Sequence, residues 1–209
     1  MSKILFFGDS ITAFRENVVV ASELFEKSFP QHQMVNRGVK GNHTGMARER
    51  FLKDVLEEKP DLMIFSFGIN DAAIDVFKQK TTPRISVEEY VENLRFFIRE
   101  VRAAGAEVIF FTPPPMVMVE KLKQYYGGEP YLSNGFNFML DKFISSAKSL
   151  MAEENVPVAD VNAAFREQTG SAEDKLTELL PDGMHPDSAG QKIIYDTLLK
   201  VFEKSFSGR

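Results

Sequence analysis

The chain has 209 residues, enough to bury a full hydrophobic core, and an ordinary globular balance of 44% hydrophobic and 26% charged residues. A net charge of -5 and a sequence pI near 5.4 argue against a phosphate-backbone binder, so no nucleic-acid partner is expected. The absence of cysteine removes disulfides, thiolate metal sites and cysteine nucleophiles, and fits a reducing compartment.

The chain opens on an apolar run, Ile4 to Phe7, stopped by Gly8. A run this short, rich in β-preferring residues, reads as a buried strand. It holds no secretory leader pattern, and no stretch of the chain approaches the length of a membrane span. A cytoplasmic protein without membrane insertion is therefore expected. Val18 to Phe29 has helical spacing and stops at Pro30. Gln33 to Asn36 reads as a second strand, leading into a loop through Gly38 and Gly41. Gly45 to Glu58 reads as a helix, and Asp61 to Phe67 as a third strand stopped by Gly68. Ser86 with Glu89 is a capping-box pair that opens a helix running to about Ala104. Ala106 to Thr112 is the fourth expected strand. A helix follows within Leu132 to Glu154, starting near Asn134. Val156 to Val161 is the fifth strand, and Asp187 to Phe206 a terminal helix. Nineteen phenylalanines, many in strand-like runs, read mainly as core.

Strands alternating with helices specify an α/β domain with a parallel sheet, and right-handed crossovers bring every strand C-terminus to one edge. No interdomain linker or repeat is visible, so one domain over 1–209 is expected. Ala72 to Arg84 and Pro113 to Tyr131 fall outside the alternation and directly follow strand ends. Both should overhang the crevice at that edge, as ordinary insertions or as a substrate-contacting lid.

Chemistry-bearing residues collect on the same edge. Ser10 lies in the Gly8-Asp9-Ser10 turn after the first strand. A serine hydroxyl needs a base, which histidine supplies near neutral pH, and the imidazole needs a partner to fix its tautomer. Asp182 and His185, three residues apart in a Pro-Asp-Gly-Met-His-Pro loop, can supply both, although a solvated loop before a helix start would carry the same residues. Acyl transfer also needs donors for the oxyanion. The Ser10 N–H, the Gly41 N–H and the Asn70 side-chain amide are the candidates. Asp9, His43 and Met116 are further residues expected to reach substrate. His32 reads as an exposed loop residue. Three scattered histidines make no metal site, and no cofactor motif is present.

Four motifs in order, FFGDSIT, NRGVKGNHT, GINDA and DGMHP, resemble those of GDSL-type esterases and lipases of the SGNH hydrolase superfamily. The resemblance spans nearly the whole chain. It implies a flavodoxin-like three-layer α/β/α fold with a five-stranded parallel sheet. It also implies Ser10 as nucleophile, His185 as general base and Asp182 as its orienting carboxylate, with an oxyanion hole of Ser10, Gly41 and Asn70. Gly41 is chosen over Gly38 because its spacing before Asn42-His43-Thr44 fits the family pattern. The expected activity is hydrolysis of short-chain esters, acetyl esters above all, with a carbohydrate acetylesterase in view and no cofactor or metal. The expected partner is a small-molecule or carbohydrate ester, with self-association left open. Two rivals stand beside it. One is a lysophospholipase or thioesterase using Phe14, Ile74, Val76, Phe77 and Met116 to Val119 as an acyl channel. The other is a non-catalytic carbohydrate-binding protein on the same fold.

Overall fold

The structure is a computed structural model that describes residues 1–206; the last three residues of the expected domain lie outside them. Five parallel strands form one sheet in the order β2-β1-β3-β4-β5. They are β1 (Lys3–Gly8), β2 (Gln33–Gly38), β3 (Leu62–Ser66), β4 (Glu107–Phe111) and β5 (Val158–Ala159). The central strands β1 and β3 are buried on both faces, which is why they read as continuous apolar runs rather than alternating ones.

Helices cover both faces. On one side α1 (Ala21–Ser28), α8 (Val161–Thr169) and α10 (Ser188–Ser205) pack together. On the other, α2 (Thr44–Phe51), α4 (Val87–Ala103) and α7 (Phe138–Glu153) do so. The caps match the sequence. Ser86 Oγ accepts the Glu89 N–H at 3.1 Å to start α4, and Asp187 Oδ1 accepts the Gly190 N–H at 2.8 Å to start α10. Phenylalanines join sheet to helices. Phe7 meets Phe51, Phe67 and Phe97 edge-on on one face, and Phe25 meets Phe202 and Tyr195 on the other. Phe14 and Phe77 are exceptions and stand exposed. His32 is half-buried rather than exposed, packed against Phe29 and Phe202, with Nδ1 accepting the Ser2 N–H.

Several expected boundaries shift. The fifth strand contracts to two residues, because Pro157 has no N–H to give the ladder and Asp160 turns the chain into α8 by accepting the Ala163 N–H. The expected helix over Gly45 to Glu58 splits into α2 and one wider turn, Leu52–Leu56. Gly135, at φ +85°, separates a short α6 (Tyr131–Asn134) from α7. Between β5 and the Asp182 loop lie α8 and α9 (Glu173–Leu179), neither anticipated. The sequence signal for α8 was there: the Asp160 cap and the buried pair Val161 and Phe165, four residues apart.

The two segments outside the alternation form a unit with its own small core. The first begins at the last residue of α3 (Ile69–Ala72) and holds a turn at Val76–Lys78. The second holds α5 (Glu120–Tyr126) and ends where α6 begins. Ala73 and Ile74 from the first pack with Leu122, Tyr126 and Tyr131 from the second. The Ile74 N–H donates to Tyr131 Oη at 2.8 Å.

The end of β2 lies hard against the turn after β1. A Cβ on Gly38 would sit 2.3 Å from the Ala13 backbone nitrogen, and backbone cannot yield as a flexible side chain can. Gly38→Ala is therefore expected to lower unfolding free energy by about 1–3 kcal/mol, read from urea denaturation. An unchanged midpoint would show that the turn can shift at no cost.

Candidate active site

The carboxyl ends of β1, β2 and β3 converge on one crevice. Beyond β1 the chain folds into a tight turn. Asp9 Oδ1 accepts the Ile11 N–H at 2.8 Å, and the Ala13 N–H donates to the Asp9 carbonyl at 3.0 Å. Gly8 allows this closure, since a Cβ there would meet Thr12 Oγ1 at 2.2 Å. Ser10 is thereby raised to the rim of the sheet. From the far end of the chain, the loop before α10 brings His185 against it. His185 Nε2 lies 2.9 Å from Ser10 Oγ across 175 residues of sequence, and Nδ1 lies 2.7 Å from Asp182 Oδ2. The second oxygen of Asp182 accepts the Met184 and His185 backbone N–H groups, at 3.0 and 2.8 Å. Burial alone would push the Asp182 carboxyl up. The hydrogen bonds from the His185 ring and backbone, with the charge of the imidazolium, outweigh burial and hold it well below the usual carboxylate range.

A cavity of about 270 Å³ opens over this row, lined by Ser10, His185, Gly41 and Asn70. Ile11, Ile69, Met184 and Tyr126 add apolar wall, and Lys40 and Arg84 add charge. Gly41 has φ +77° and nothing within 4 Å of where a Cβ would stand; Gly38 is packed against Ala13 and is not on the wall. Asn70 Nδ2 donates to the Asn42 carbonyl at 3.0 Å and lies 3.4 Å from Asp9 Oδ2, so its amide face is set by two oxygens.

Asp9, His43 and Met116 do not line this cavity. Asp9 is buried beneath it and spends its oxygens on the turn and Asn70. His43 caps α2, accepting the Met46 N–H, and borders a neighbouring groove. Met116 is buried and lines a separate cavity with Phe136 and Leu176. The residues expected for an acyl channel are absent from the wall too: Ile74 is fully buried, Phe14 is exposed, and Phe77 is half-exposed against Tyr125.

Arg50, not singled out in the sequence, holds the site's framework. Its guanidinium donates to the Gly8 carbonyl at 3.0 Å, the Arg37 carbonyl at 2.9 Å and Asn42 Oδ1 at 2.6 Å, and pairs with Asp54 at 2.8 Å. It lies over the Phe7 ring, 4.5 Å from the centroid. The ends of β1 and β2 and the loop carrying Gly41 are thus joined through one side chain. Only its position four residues before Asp54 hinted at a partner.

Two buried carboxyls support the floor. Burial raises Asp9 to about 6 against the pull of the Ile11 N–H, the His185 charge and Asn70. Burial raises Asp71 to about 7, against the hydrogen bonds from the Thr44 hydroxyl and N–H. Its other oxygen is buried with no partner among the described residues. The folded state therefore holds a proton on Asp71 that the unfolded chain has already released. That contribution is complete below about 3.8 and is lost as pH rises through about 7. Asp71→Asn cannot ionise, so its stability relative to the parent should improve across that window and level off above it, as followed by thermal melts. A difference independent of pH would mean that Asp71 titrates at its ordinary value.

Comparison with known proteins agrees with this architecture. Residues 6–193 match the GDSL-like Lipase/Acylhydrolase family. The isoamyl acetate-hydrolyzing esterase of Saccharomyces cerevisiae is 26% identical over 216 residues, covering 96% of this chain and 86% of that protein. The acetylxylan esterase of Geobacillus stearothermophilus is 27% identical, covering 95% and 92%. A crystal structure of a catalytic mutant of that acetylxylan esterase superposes with a TM-score of 0.75 at 25% identity, covering 96% of this chain and 93% of the other. With its parallel sheet, its ordered motifs and a match over most of its length, the chain belongs to the GDSL-like lipase/acylhydrolase family of SGNH hydrolases.

Proposed function

We propose that the protein is a serine esterase acting on short-chain esters, acetyl esters first among them, with Ser10, His185 and Asp182 as its triad. The observation that carries this reading is the row itself, with Ser10 Oγ 2.9 Å from His185 Nε2 and Nδ1 2.7 Å from Asp182. Asp182 holds Nδ1 protonated, leaving the Nε2 lone pair facing the hydroxyl. Ser10 Oγ attacks the ester carbonyl while Nε2 takes its proton. Asp182, with the buried Asp9 carboxylate behind it, favours the imidazolium that forms. The oxyanion is received by the Ser10 and Gly41 N–H groups and the Asn70 amide. His185 then protonates the departing alcohol, and water, deprotonated by the same nitrogen, releases the acid from Ser10.

Short acyl groups are supported by the cavity. At about 270 Å³ it falls below the usual range for drug-sized ligands, and none of the candidate channel residues extends it. The yeast and Geobacillus relatives, named for isoamyl acetate and acetylxylan, support acetyl esters, and the second supports a carbohydrate ester. Among the described residues no helix is long and apolar enough to cross a membrane. A cytoplasmic setting completes the reading, in keeping with a chain that carries no cysteine.

Ser10→Ala should abolish turnover of p-nitrophenyl acetate and labelling by a serine-reactive phosphonate while the circular dichroism spectrum is unchanged. Activity retained in that variant would remove Ser10 as nucleophile. Asp182→Asn should lower kcat by on the order of 10³-fold or more through the wrong imidazole tautomer, and Asn70→Ala by about 10²–10³-fold. In a series of p-nitrophenyl esters, kcat/KM should peak at acetyl; a rise towards octanoyl would move the reading to longer acyl chains.

A further inference from the structure

The wall of the Ser10 cavity is basic although the chain as a whole is acidic. The chain is acidic, with 30 Asp and Glu against 25 Lys and Arg. The cavity wall carries Lys40 and Arg84 and, among the described residues, no carboxylate. Lys40 is exposed beside Gly41, and its ammonium has no ion-pair or hydrogen-bonding partner among the described residues. Arg84 comes from the end of the first overhanging segment. Its side chain is 30% exposed. Asp75 Oδ1 accepts from Arg84 Nε at 3.1 Å and Nη2 at 2.6 Å. This leaves the Nη1 edge turned to Asn70, 3.5 Å from Oδ1. Asp75 also meets Lys78 through its other oxygen at 3.4 Å, so one carboxylate faces two cations and the trio keeps a net positive charge. The small core beneath, with Tyr126 beside the guanidinium, keeps Arg84 aimed at the site.

Two cations on the wall of one small cavity favour an anionic ester over a neutral one. In a cleft with low-dielectric walls they attract and orient a compact anion, and a guanidinium edge suits carboxylate or phosphate oxygens. Resting on the esterase reading, we propose that the preferred substrate is a small ester that itself bears a carboxylate or phosphate group, bound between Lys40 and Arg84 while Ser10 attacks the ester carbonyl. The anion is unchanged in the reaction; only the acyl–oxygen bond is broken.

The test uses a matched pair, 4-acetoxybenzoate and its uncharged analogue 4-acetoxybenzamide, with 4-acetoxyphenyl phosphate as the phosphate arm. The quantity read is the ratio of kcat/KM for the anionic to the neutral ester. It should favour an anion in the parent, fall by roughly fivefold to tenfold in Lys40→Gln and in Arg84→Gln, and fall again when ionic strength is raised to about 0.5 M. The arm with the larger ratio distinguishes carboxylate from phosphate. Equal losses on charged and neutral esters would overturn the proposal, since the cations would then act on the oxyanion common to both. A ratio that neither substitution nor salt changes would overturn it as well. If Arg84→Gln disturbs the overhanging segment, Lys40→Gln decides alone, because Lys40 holds nothing else in place. Failure of the parent to cleave any of these esters would count against the esterase reading itself. The charge preference would then be read by calorimetric binding of 4-acetoxybenzoate against 4-acetoxybenzamide. Tighter binding of the anion, lost in Lys40→Gln, supports it, and equal binding overturns it.

Discussion

The site depends on how tightly the chain can turn at the end of the central strand. Between Gly8 and Ala13 the backbone reverses within van der Waals contact of itself and of β2. Two missing Cβ atoms, at Gly8 and Gly38, make room for it. The carboxylate of Asp9 is enclosed in that turn, accepting the Ile11 N–H from inside. Burying a carboxylate is costly unless it is hydrogen-bonded, and this one serves a purpose by being there. It fixes the turn that presents Ser10, touches the Asn70 amide, and places negative charge behind His185.

From that turn a polar network spreads along the sheet edge. Arg50 ties the Gly8 and Arg37 carbonyls to the Asn42 side chain. The Asn42 carbonyl receives Asn70, and Asp71, next in the chain, accepts two hydrogen bonds from Thr44. Residues from three separate segments hold each other's donors in place before any ester arrives. For the proposed oxyanion site, such a network would fix the positions of Gly41 and Asn70 in advance. Arg50 does not line the cavity and works by holding the frame.

The overhanging segments contribute differently. They pack on one another through Ala73, Ile74, Leu122, Tyr126 and Tyr131, so they stand as a small structured lip and bring Tyr126 and Arg84 to the cavity. On the cavity wall Arg84 and Tyr126 from this lip meet Lys40 from the loop after β2, and loops at a strand-end edge are where a common scaffold is free to vary.

Much of this was legible in the residues. The apolar runs at Ile4–Phe7, Leu62–Phe67 and Val108–Phe111 are central parallel strands because only a strand covered on both faces can be apolar throughout. Capping signals at Ser86 and Asp187 marked helix starts because the side-chain acceptors they need are local. Ser10, Asn70, Asp182 and His185 could be named from ordered motifs; alternation put Ser10 and Asn70 at strand ends, whereas the Asp182–His185 loop reaches Ser10 only after two further helices. What the sequence by itself could not decide were relations between distant segments. That Gly41 faces the cavity while Gly38 packs against Ala13, that Met116 and Ile74 are core rather than channel, and that Arg50 clamps two strand ends all depend on which backbone lies within a few ångströms of which. The fifth strand shrank because Pro157 cannot donate to its neighbour, a constraint visible in sequence but weighed only against an actual pairing. Periodicity and capping are properties of consecutive residues and survive reading in one dimension. Cavity walls, buried charge and cross-strand clamps are properties of proximity, and only the tertiary structure decided them.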